Sequence, residues 1–212
     1  MPAQQTYATP TGAPWNAAQI LQTARDISTS WLTTDEIANQ LNLFGDESQD
    51  AYLESLELAA RMAIEDYLGL PIFNNTFVAY YAVGTLMATP LTLGLPQVSQ
   101  SGTTINSVKA YNNATPPALV TLATSSYYYD VTGQQVILLS VPNNISTQMA
   151  APLQVTWTNT ASIMAQYPVV KQAGLLMVAH LYNQRSDTSE RKLNCIPFGV
   201  EALLRPYKPL VM

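Results

Sequence analysis

Chemistry near neutral pH would need a titratable side chain with an activating partner, and this chain offers a single histidine, His180, inside "YPVVKQAGLLMVAHLYNQR" (167–185). A catalytic histidine needs a nucleophile beside it or a carboxylate to orient it. No G-x-S-x-G and no H-E-x-x-H accompanies it. One histidine and one cysteine, Cys195, complete a zinc ligand set only if carboxylates join them. The acids Glu54, Glu57, Glu65 and Asp66 share one segment but form no E-x-x-H element of the di-iron type; they read as a solvated helix face. The glycines are scattered and build no phosphate-cradling loop. Nine bases against fourteen acids disfavour nucleic-acid readout, and the small cluster Arg185, Arg191, Lys192 reads as a solvated loop. The expectation is a protein with no catalytic residue, no metal and no cofactor, in which His180 is structural and needs one hydrogen-bond partner on a buried helix.

The elements that would have to position any site follow from composition and spacing. Apolar residues make up 48% of the 212, which is ordinary, but charged residues only 11%, against about 25% in typical domains. Residues 1–70 carry ten acids and two bases, residues 71–170 only Asp130 and Lys109, and residues 171–212 three acids and six bases. An acidic and a basic end suit packing between identical copies; they arise equally well if helices simply carry more charge than strands. A lone cysteine, no signal-peptide pattern at the N-terminus and an apolar run ("AGLLMVA") far too short for a bilayer predict a soluble, non-secreted protein away from membranes.

Residues 1–14 read as a flexible arm. In 16–27, "NAAQILQTARDI", Ala17, Ile20, Leu21, Ala24 and Ile27 have the spacing of a short amphipathic helix. Thr33 and Glu36 fit a capping box that starts a helix carrying Ile37, Ala38 and Leu41. A long helix over 48–68 places Leu53, Leu56, Ala60, Ala63, Ile64 and Tyr67 on one face and Glu54, Glu57, Arg61 and Glu65 mostly on others, with Gly69 at its C-terminus. Strands are predicted over 75–83, 104–112, 125–131, 134–140 and 153–159, with Gly133 supplying a positive φ to a hairpin turn. Helices resume at Pro168, with Val169, Ala173, Leu176, Met177 and His180 on one side; Pro197 opens a short helix, and Pro206 and Pro209 force an extended tail. The layout is an α+β fold: an N-terminal arm with an extra helix (1–30), bundle helices (31–71), an inserted β-rich subdomain (72–160), further bundle helices (161–205) and an extended tail (206–212).

Tyr80, Tyr81, Tyr111, Tyr127, Tyr128 and Tyr129 crowd the nearly chargeless middle. Tyrosine is favoured and charge disfavoured at protein contacts, so these residues are subunit-interface or tail-contact candidates; a plain β core accounts for them as well.

The ordered set "WLTTDEIANQLNL", "YLESLELAARMAIEDYLGLPI", "INSVKAY", "LQVTWTN", "YPVVKQAGLLMVAHLYNQR" and "IPFGVEALLRPYKP" resembles the head–tail connector (adaptor, or head-completion) proteins of tailed bacteriophages, over about residues 31–208. The first 30 residues depart from the short members of that family. The resemblance implies a helical bundle with an inserted or appended sheet, a structural role rather than an enzymatic one, and homo-dodecameric rings in the virion neck. Such rings join the portal protein to the stopper or tail protein, and DNA passes through without sequence-specific binding. It makes Leu203, Leu204, Arg205, Pro206, Tyr207, Lys208 and Leu210 portal-contact candidates. Glu54, Glu57, Glu65 and Asp66 become candidates for a negative lumen or a contact between subunits. The alternative is a tail-completion or assembly-chaperone protein that forms no neck ring.

Overall fold

The computed structural model describes residues 17–43, 47–82, 90–96, 98, 102–184 and 197–208. The expectations placed on residues 1–14, Arg185, Arg191, Lys192, Cys195 and Leu210 lie outside them. Among the described residues, four α-helices and eight strands in two antiparallel sheets make an α+β fold. The chain divides into a helical unit, 26–73 with 161–212, and a β unit, 1–25 with 74–160.

The helical unit contains α1 (Thr34–Leu41), α2 (Asp50–Leu68), α3 (Pro168–Asn183) and α4 (Phe198–Leu204). The capping box forms: the Glu36 amide donates to Thr33 Oγ1 at 3.2 Å and the Thr33 amide to Glu36 Oε2 at 3.0 Å. Gly69 closes α2 in the left-handed region, φ 65°, and Pro168 opens α3. Helix α3 packs against α1, α2 and α4 around Trp31, Leu32, Ile37, Leu53, Ile64, Val170, Met177 and Leu204. Its buried residues are Val170, Ala173, Gly174, Met177 and Val178. The buried stripe is rotated from the one the spacing predicts: Val169 is exposed, and Leu176 and His180 are half-buried. The cause is Gly174. Its bare Cα admits the Trp31 indole so closely that a Cβ there would lie 2.6 Å from the ring, and Trp31 Nε1 donates to Ala165 O at 3.0 Å, fixing the ring in place.

The C-terminal residues also differ from expectation. Pro206 does not begin an extended tail; it sits in the first positions of a 3-10 turn, Arg205–Tyr207, that follows α4. Proline is tolerated there because its φ suits a first turn and its missing N–H would have no partner.

The β unit holds a five-stranded sheet from β1 (Ala17–Arg25), β2 (Asn75–Tyr81), β4 (Thr103–Tyr111), β5 (Leu119–Thr121) and β8 (Leu153–Asn159), and a three-stranded sheet from β3 (Leu91–Gly94), β6 (Tyr127–Asp130) and β7 (Gln135–Leu138). Their orders are β1-β2-β8-β4-β5 and β3-β7-β6. Strand β8 alternates with period two: Leu153, Val155, Trp157 and Asn159 are buried, while Gln154, Thr156 and Thr158 are half-buried. One core takes Phe77, Tyr81, Val155 and Trp157 from the larger sheet and Leu93, Val136 and Leu138 from the smaller.

Strand β1 overturns the helix predicted over 16–27. It pairs antiparallel with β2, with register shifts between Ala17 and Gln19 and between Gln22 and Ala24. A bulge adds one residue and so turns i and i+3 to the same face. Ala17 and Ile20 therefore both enter the core, and a helix-like spacing is satisfied by an irregular strand. Ile27, counted into that helix, lies beyond β1 and is exposed. In the hairpin between β6 and β7, Gln134 takes the positive φ, 51°, not Gly133. A Cβ at Gly133 would come within 2.5 Å of Asp130 Oδ2, so the Asp130 side chain would have to shift there.

Candidate functional site

The four acidic candidates on α2 separate into two kinds. Glu54 and Asp66 are exposed. Glu57 and Glu65 are buried, contrary to a solvated face, because the fold uses them as main-chain acceptors. Glu57 Oε1 accepts from the Trp31 amide at 3.1 Å; Glu65 Oε1 accepts from the amides of Ile72 at 2.7 Å and Phe73 at 3.4 Å. Arg61 is buried with them, 2% exposed. Its Nη1 donates to Asp26 O at 2.7 Å, and its guanidinium carbon lies 4.9 Å from the Phe73 ring centroid. Its Nε stands 3.3 Å from Glu57 Oε1, near enough for an ion pair but misaligned for a hydrogen bond. Desolvation raises the Glu57 carboxyl above its ordinary value, against the opposing pull of Arg61 and of the Trp31 and Leu32 amides. Helix α2 thus pins the segments just before Trp31 and just after Leu70. Glu57 and Glu65 are corrected from lumen candidates to internal struts; Glu54 and Asp66 keep their place on the surface.

The C-terminal candidates also divide. Leu204 is fully buried, and Leu203 and Tyr207 pack against the same core, so Leu204 is withdrawn as a contact candidate. Arg205, Pro206 and Lys208 are exposed. Tyr207 meets Tyr167 edge-on at 5.8 Å, and Lys208 Nζ lies 4.6 Å above the Tyr67 ring. Tyr167 is 40% exposed, and Ile163 and Val169 are exposed close to it in sequence. Sequence reasoning passes over Ile163 and Tyr167 and puts Val169 on the packed side of its helix. Pro168 at the start of α3 was the available signal, since it fixes Tyr167 at the N-cap, where a side chain has left the buried stripe.

Of the six tyrosines, Tyr81 is fully buried and donates to Gly94 O at 2.8 Å; burial pushes its hydroxyl well above the usual range. It is a core residue and not an interface candidate. Tyr80 is half-buried and accepts from Gln154 Nε2 at 3.0 Å. Tyr111, Tyr127 and Tyr129 are half-buried, and burial raises the Tyr129 hydroxyl, with Thr103 lowering it in part. Tyr128 alone is mostly open, 49% exposed. The β unit nonetheless carries only three charged side chains, Arg25, Lys109 and Asp130, and it exposes Leu119, Val120, Val131 and Leu139 as well.

His180 lies in the last turn of α3. Among the described residues no group of three or more His, Cys, Asp or Glu could hold a metal ion, and no helix is long and apolar enough to cross a membrane.

Comparison with known proteins bears on the fold. No family model matches the chain, and no curated protein matches it. Solved structures do. A chain in the neck of an empty GTA particle, computed with C6 symmetry, superposes with a TM-score of 0.62 at 21% identity, covering 91% of this chain and 96% of that one. A chain in the virion of a native gene transfer agent (GTA) particle gives 0.60 at 20% identity with the same coverage. A chain in the neck of a native GTA particle, computed with C12 symmetry, gives 0.58 at 18% identity, covering 89% and 94%. At these identities the likeness is one of fold, and it extends over nearly the whole of both partners.

Proposed function

We propose that the chain is a structural subunit of the neck of a tailed, phage-like particle, an adaptor whose copies form a ring between the portal and the stopper or tail, with DNA passing through. The observation that carries this reading is the whole-chain likeness to chains of GTA necks and virions. The C6 and C12 symmetries of those necks support a ring, and a ring of twelve satisfies both. Ring contacts are heterologous, so each copy must present two different surfaces. The acidic surface of α2, with Glu54 and Asp66, is one proposed lining of the lumen or of the contact between copies; like charge lets phosphates slide past instead of binding. The exposed set Arg205, Pro206 and Lys208, with Tyr207 and Tyr167 at its base, is the proposed portal contact, and Tyr128 is the proposed contact of the β unit.

Electron cryo-microscopy of purified particles, with stoichiometry from mass spectrometry, tests the reading. A ring of this chain directly beneath the portal is expected. Its absence from the particle would refute the neck assignment and leave an assembly factor with a neck-protein fold.

A further inference from the structure

Among the described residues the five-stranded sheet ends at β5 on one side and β1 on the other, and the two edges are finished differently. Strand β5 pairs only with β4, Lys109 opposite Thr121, Ala110 opposite Val120 and Tyr111 opposite Leu119. Just outside that ladder the Asn112 amide donates to Ala118 O and the Leu122 amide to Val108 O, both at 2.9 Å. In an antiparallel pair, successive residues turn their main-chain groups alternately toward and away from the neighbour. Ala118, Val120 and Leu122 therefore face β4, and the N–H and C=O of Leu119 and Thr121 face outward with no strand beside them among the described residues. All three residues of β5 are exposed, Leu119 by 38% and Val120 by 45%.

Proteins usually guard such an edge by keeping it very short or with a charge, a bulge, or a proline within the strand. Strand β5 is short, three residues, but it has none of the other guards: no charged residue lies between Lys109 and Asp130, and the register with β4 is unbroken. Strand β1 is guarded at its ends, with its two register shifts and Arg25, but the run Gln19–Gln22 between the shifts is regular and uncharged. The faces match as well. Val120 stands opposite the buried Ala110, on the same side of the sheet as the buried Ile20; Leu119 and Leu21 occupy the other side. Bringing the two edges together desolvates no unpaired charge.

We propose that β5 of one copy accepts the Gln19–Gln22 run of β1 from a second copy, so that the sheet continues from subunit to subunit. Four antiparallel steps separate β1 from β5, so the two strands run the same way and the added pair is parallel. Joining one edge to a different edge is a heterologous contact, which closes into a ring when the rotation permits. The inference rests on the ring reading for its second copy and supplies that ring with a contact between subunits.

The test uses the full chain. Thr121→Pro removes an outward-facing donor, and Leu119→Lys puts a charge on the edge; neither touches a hydrogen bond to β4. Sedimentation velocity and native mass spectrometry over a wide range of concentration should show multimers for the wild type. Both variants should sediment as monomers with unchanged circular dichroism and with the urea midpoint that the wild type shows at the dilution where it too is monomeric. If either variant loses its fold, the pair Leu119→Cys with Leu21→Cys on a Cys195→Ser background decides instead: a ladder of disulfide-linked multimers supports the contact, and its absence overturns it. Variants that assemble as the wild type does overturn the edge contact and leave the ring reading standing. A wild type that stays monomeric throughout overturns addition between copies and leaves the β5 edge to a strand of another protein, with the neck assignment still decided by particle imaging.

Discussion

Replacing Arg61 by methionine tests whether the buried charges of α2 are struts. Methionine keeps an unbranched stem of similar reach but has no charge and no donor. In the native chain Arg61 bonds Asp26 O, stands 3.3 Å from Glu57 and covers the Phe73 ring. The variant leaves Asp26 O without that donor and Glu57 buried without its cation. Breaking a buried pair from one side costs about 3–5 kcal/mol, and Asp26 O, whose bond to Arg61 is only part-buried, can take a water in exchange. The expected loss is therefore about 4 kcal/mol, a large share of the roughly 5–15 kcal/mol that holds a typical domain folded. The loss should also depend on pH. Burial already raises the Glu57 carboxyl, and without Arg61 it rises further. Between the ordinary carboxylate value and that raised folded value, the folded state holds a proton that the unfolded state lacks, so stability increases as pH falls. Urea unfolding followed by circular dichroism should show a smaller deficit at about pH 5 than at pH 8. Adding Glu57→Gln to Arg61→Met should recover part of the loss at the higher pH, because no buried carboxylate is then stranded. A cost below about 1 kcal/mol for Arg61→Met, within the range of an exposed ion pair, or a deficit equal at both pH values, refutes the strut.

Gly174→Ala should destabilise although it improves helix propensity by about 1 kcal/mol, because the new Cβ meets the Trp31 ring and overpacking costs about 1–3 kcal/mol; a raised melting temperature would show that the ring can move aside. Thr33→Ala should cost about 1 kcal/mol by removing half of the capping box, read as a lowered urea midpoint with an unchanged folded spectrum. The charge reversals Arg205→Glu and Lys208→Glu, at exposed positions, should lower stability by no more than about 1 kcal/mol, the Lys208 contact with the Tyr67 ring being lost, and abolish incorporation into particles in a complementation assay; normal incorporation would remove this surface from the portal contact.

Local signals were legible in this chain wherever the residue concerned does locally what its chemistry dictates. The capping pair Thr33 and Glu36, the left-handed Gly69, the N1 proline of α3 and the period-two strand β8 each read directly from the sequence. The failures share a cause: a distant partner decided the outcome. Strand β1 carries a helical spacing, and only the open edge of β2 together with two bulges makes a strand of it. Strands β3 and β5, at four and three residues, are too short to show a period; their neighbours β7 and β4 define them. On α2, the spacing of apolar residues cannot reveal that Glu57, Arg61 and Glu65 turn inward, because what draws them in are main-chain groups of Asp26 and Trp31, where the chain enters the helical unit from β1, and of Ile72, where it leaves for β2. Backbone that has left regular structure needs hydrogen-bonding partners, and the long charged side chains of this helix supply them. Buried charge on α2 and missing charge on the β unit thus have separate origins. The first holds a fold together; the second leaves a surface whose water another subunit can displace at little electrostatic cost.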